Sequence, residues 1–146
     1  MSRFALDYVV MVFVASLGVI QIAASVARLR GLLLVPSYWV ARLLGFGLAA
    51  AAIVWFFASG ERNINDYEGG LDANVQALYF FLSAAAAYLT TLLVSSLVNS
   101  NLGDAEGRPA EGMEALKETT YVRALAANLR AWRREWRRRM KSYFSG

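Results

Sequence analysis

The chain has 146 residues and contains no cysteine and no histidine. The first absence excludes disulfides, thiolate nucleophiles and S-acyl anchors, and it leaves the redox compartment open, because a chain without thiols suits either side of a membrane. The second excludes imidazole proton shuttles and histidine-ligated haem, and the two together remove zinc sites of the usual composition. No metal or cofactor is expected. Charge is scarce as well: 18% of residues are charged against 58% hydrophobic, too apolar a balance for an ordinary soluble domain. The expected class is an integral membrane protein.

What charge there is lies segregated. From Tyr121 onward the chain carries Arg123, Arg130, Arg133, Arg134, Arg137, Arg138, Arg139 and Lys141 against the single acid Glu135, while the remainder is slightly acidic, for a net charge of +4 overall. The basic character is a property of the tail.

A helix that crosses a bilayer needs about 20 mainly apolar residues, since each rises 1.5 Å and the hydrocarbon is about 30 Å thick. Residues 8–27, 38–59 and 75–98 meet that requirement. The first is expected to be a retained span and not a cleaved signal: its apolar run is longer than a signal core, and it ends in Arg28 and Arg30 without a small-x-small cleavage site. Pro36 keeps the intervening GLLLVPSYW from forming one continuous helix, so a tight interfacial turn is expected there, with the second helix starting at Pro36 or Ser37. The fold class expected is all-α: a three-helix transmembrane domain over 1–98, an acidic Gly/Pro-containing linker over 99–118, and a basic amphipathic helix over 119–146.

Loop charges bias the threading. Arg28 and Arg30 sit in the first connection, whereas the second carries Glu61, Asp66, Glu68 and Asp72 against Arg62 alone. Lysine and arginine collect on the cytoplasmic side, so the expected arrangement places the N-terminus outside and the C-terminus in the cytoplasm, in a prokaryotic plasma membrane. Tyr8, Trp55, Phe56, Phe57, Tyr79 and Phe80 would then lie near one interface, and Tyr38 and Trp39 near the other. Arg42, about a turn inside the second span, reads as a snorkelling anchor.

Two of the spans carry small residues at helical spacing. Ser83, Ala87, Thr91, Ser95 and Asn99 recur every fourth residue in the third, and Ala41, Gly45 and Ala49 do so in the second, with Gly47 and Ala51 alongside. Small faces let helix backbones approach closely, and packing among the three helices is the expected use; docking against a second copy or a partner subunit is the alternative. No ionisable side chain lies at mid-span, where a transporter would need one. Gln21 is the one strongly polar residue near the centre of the first span, and a helix-to-helix hydrogen bond is expected of it. The acidic outer loop does not have the spacing of an EF-hand, and neither Asn63 nor Asn65 begins a glycosylation acceptor.

In the tail, Val122, Leu125, Leu129, Trp132, Trp136, Met140 and Tyr143 with Phe144 fall on one arc about 120° wide at roughly 100° per residue, and Arg130, Arg134, Arg137 and Arg138 lie off it. Arg133 projects within the apolar arc. Such a helix suits the headgroup region of an anionic leaflet or a groove on a partner subunit; binding to nucleic acid ranks well behind both. No constellation of catalytic groups stands out. The expectation is a non-enzymatic accessory or scaffold subunit of a larger membrane complex, with membrane lipids and other integral subunits as partners and self-association left open. A small oligomeric channel or transporter, its pore lined by the Ser/Thr face of the third span, is the alternative, and a lipid-modifying enzyme has the least support.

Overall fold

A computed structural model describes residues 3–60 and 72–99, together with 120–122, 125, 126, 129 and 132. Three helices account for the first two stretches: α1 over Arg3–Val26, α2 over Tyr38–Ala58 and α3 over Ala73–Val98, with a single 3-10 turn, Arg30–Leu32, between α1 and α2. All three are long and apolar enough to cross a membrane. At 1.5 Å per residue even the shortest spans about 30 Å. The outward faces agree with a lipid surround, since Trp39, Leu43, Phe81 and Leu97 are each about 70% exposed, and water tolerates no such apolar girdle.

The helix limits follow from local chemistry. α1 begins five residues ahead of its apolar run because Phe4 and Ala5 already pack: Ala5 is buried, and the Phe4 ring lies 5.9 Å from that of Phe56 at the far end of α2. α1 stops where Arg28 adopts φ 57°, which lets the Leu29 N–H reach back to the Ala24 carbonyl at 2.9 Å. That is a Schellman-type ending, in which a left-handed residue turns the chain and the residue after it closes the helix. At the start of α2, Ser37 is extended and its carbonyl accepts from Ala41 N–H at 2.9 Å. α3 is capped by Asp72, whose side chain accepts from Asn74 N–H at 2.9 Å, so it starts two residues before its apolar run.

α1 is the spine. α2 and α3 each run along it, and they barely meet each other. At one end Tyr8, Val12 and Phe56 form a core with Phe4, Met11 and Tyr79 against it. At the other, the turn end, Ala24, Leu29, Leu32, Leu33, Ala41 and Leu92 pack together, flanked by Val35, Tyr38 and Tyr121.

Candidate functional site

The turn end is where the polar side chains of the bundle are spent. A turn buried in an apolar medium leaves backbone donors and acceptors without water, and each unpaired one costs several kcal/mol in lipid, by order of magnitude. Gln21 answers this with one side chain, because an amide both donates and accepts. Fully buried, it donates from Nε2 to the Leu32 carbonyl at 3.2 Å and accepts at Oε1 from Leu34 N–H at 2.8 Å. This corrects the expectation of a helix-to-helix bond: the partner of Gln21 is the connecting turn, whose orphan groups lie within reach while α2 and α3 offer saturated helical backbone. Asn99 does the same from the other side, donating from Nδ2 to the Leu33 carbonyl at 2.7 Å and to the Ser95 carbonyl at 2.9 Å.

Beside this lock lies a cationic group. The Arg42 Nε donates to Ser25 Oγ at 3.3 Å, and Ser25 in turn donates to the Ile22 carbonyl at 2.8 Å. The Arg42 guanidinium stands 4.9 Å from the Trp39 ring centroid. Arg30 Nε donates to the Tyr38 hydroxyl at 3.0 Å, with its guanidinium 5.8 Å from the Tyr38 ring centroid.

The small faces take different places. On α2, Gly45 and Ala49 meet Gly18 of α1: a methyl group added at Gly18 would run into the Gly45 carbonyl oxygen, and one added at Gly45 would stand 2.5 Å from the Gly18 carbonyl oxygen. Gly47 has nothing within 4 Å of such a methyl and takes no part in this contact. On α3, Ser83, Ala87, Thr91 and Ser95 are all buried. Their hydroxyls turn back on α3 itself, Ser83 to the Tyr79 carbonyl at 2.6 Å, Thr91 to Ala87 at 2.9 Å and Ser95 to Leu92 at 3.3 Å.

Among the described tail residues, Thr120 is buried, Tyr121 packs on the turn-end core, and Val122 N–H makes a long contact, 3.5 Å, with Ser96 Oγ. Leu125, Leu129 and Trp132 are exposed. Arg130, Arg133, Arg134, Trp136, Arg137, Arg138 and Met140 lie outside the described residues, as do residues 100–119, which hold all of the expected linker but Asn99.

Because α2 and α3 do not close around α1, a lateral groove of about 570 Å³ runs between them, with Val12, Ala15, Ser16 and Val19 of α1 as its floor, Ile53 on one wall and Phe80, Ala84 and Tyr88 on the other. A smaller one, of about 360 Å³, lies between α1 and α3 around Phe13 and Leu82. Among the described residues no three acidic side chains converge. No family model, no curated protein and no solved structure matches the chain. Its reading therefore rests on this geometry.

Sequence reasoning missed Gly18 and Ser25. Gly18, Gln21 and Ser25 follow one another at intervals of three and four, which places them on one side of α1. That spacing was the available signal.

Proposed function

We propose that the chain is a non-enzymatic accessory or scaffold subunit of a larger membrane assembly, with the turn end and the basic tail on the cytoplasmic side. The observation that supports this reading most is the open side of the bundle. A groove floored by α1 and walled by α2 and α3 has the form of a seat for a further helix, and its floor carries the small residues Ala15 and Ser16. Lipid offers no hydrophobic force between helices, so close fit at small residues is what holds them together. The polar side chains of the turn end and the hydroxyls of α3 are bonded within the bundle, which favours a structural role over a pore along that face.

The tail fits the same role. Tyr121 packs on the turn-end core and Thr120 is buried, while Val122, Leu125, Leu129 and Trp132 are exposed, so the described part of the apolar arc starts at the bundle's end with its side chains uncovered. An arc placed there, with arginines around it, docks on the cytoplasmic leaflet or on a partner subunit.

The test is native purification of the full chain in mild detergent. Recovery of unrelated membrane subunits in fixed stoichiometry is expected, and Ala15→Leu with Ser16→Leu, which fill the groove, should abolish it. A lone homo-oligomer that conducts ions in liposomes would overturn the reading. A reporter fused after Gly146 should lie in the cytoplasm; an external signal would reverse the threading.

A further inference from the structure

We propose a second role for two arginines at the turn end of the bundle: Arg30 of the α1–α2 turn and Arg42 of α2 form a binding site for the phosphate of an anionic phospholipid headgroup. Positive residues at this end mark topology, but a lysine would do that equally well. What Arg30 and Arg42 have beyond charge is placement. Each is tied through Nε, Arg42 to Ser25 Oγ and Arg30 to the Tyr38 hydroxyl, and each guanidinium is set against an aromatic ring of the first turn of α2. Anchoring by that edge leaves the terminal amino groups of both forks to donate outward. Neither fork meets a carboxylate among the described residues. Tyr38 and Arg42 are one helical turn apart and so share a face of α2, and Arg30 is held on the first of them.

Three further observations converge on the same place. Ser37 makes no side-chain cap at the start of α2, so first-turn backbone N–H groups add partial positive charge there. Arg28, two residues before Arg30, occupies a left-handed position, φ 57°, that glycine would fill without strain; a third cation is kept at the turn where local backbone preference disfavours it. Past Arg42 along α2, Leu43 and Phe46 are exposed, an apolar outer surface on which the acyl chains of a lipid can lie while its phosphate meets the forks. A free phosphate has no use for that face. Paired guanidinium forks match phosphate oxygens bidentately, which an ammonium cannot do.

The proposal requires the bundle to sit in a bilayer and does not depend on the accessory role. It is tested by native mass spectrometry of the full chain released from mixed micelles of phosphatidylglycerol and phosphatidylcholine. The wild type should retain phosphatidylglycerol in preference. Arg30→Lys with Arg42→Lys, which keeps every charge, should weaken that retention by about tenfold or more, and Ser25→Ala, which frees Arg42, by about threefold, in keeping with the loss of bidentate phosphate contacts and of one hydrogen bond that positions a fork. Helical content from circular dichroism shows that each variant is folded. With Arg133, Arg134, Arg137 and Arg138 replaced together by Gln, the double Lys substitution should still weaken retention by the same factor, so that failure of tail docking and failure of this site are told apart. Undiminished retention in the double Lys variant, equal retention of phosphatidylcholine, or inorganic phosphate held as firmly as the lipid would each overturn the assignment.

Discussion

α1 meets its two neighbours by different means. Against α2 the contact is backbone on backbone: Gly18 and Gly45 stand so close that neither site has room for a methyl group. On α3 the buried stripe is Ser83, Ala87, Thr91 and Ser95, and its three hydroxyls are bonded within α3 itself. Both neighbours present a stripe of small residues at intervals of four, yet one stripe sets a distance between helices and the other fills a seam with groups already satisfied. The stripe alone does not reveal which.

The comparison breaks most directly at Gly45. Gly45→Leu should force α1 and α2 apart and cost about 3 kcal/mol or more, as overpacked sites do when the obstacle is backbone, whereas Gly47→Leu two residues on should stay within about 0.5 kcal/mol. Unfolding of the two variants by graded SDS in bicelles measures both, and equal costs would refute the close crossing. Next in size is Gln21→Leu, which leaves the Leu32 carbonyl and Leu34 N–H without their side-chain partner and should cost about 2 kcal/mol in the same titration. The loss should be accompanied by faster amide exchange at Leu34, and an unchanged rate would mean that the turn finds another partner. The smallest effect belongs to α3: Thr91→Val keeps the shape and gives up only a bond inside its own helix, so a loss under about 1 kcal/mol is expected. A loss as large as that of Gln21→Leu would show that this hydroxyl holds α1 and α3 together.

Much of the fold was legible from residue types. The three spans follow from apolar length, the break before α2 from Pro36, and the buried faces of α2 and α3 from Gly45, Ser83, Ala87, Thr91 and Ser95. The helix starts differed by a few residues, because Phe4 on Phe56 and the Asp72 cap extend α1 and α3 past their hydrocarbon stretches. At the candidate site less could be read. Arg30 and Arg42 were visible as cations, but the ties to Tyr38 and Ser25 that give them a shape join residues 8 and 17 positions apart. Such pairs exist only once the turn has folded.

The sequence by itself determined the solvent: with long apolar runs, few charges and a basic tail, this chain is built for a bilayer, because burial of unpaired backbone in lipid leaves helices as the form such runs can take. Only the tertiary structure decided which small residue touches which helix, what Gln21 binds, and where the guanidinium forks are held. The physical reason lies in the same apolarity. In water an amphipathic stripe announces the buried face of a helix, but in lipid both faces are apolar, so the choice between Gly45 and Gly47 passes to the fit of one backbone against another.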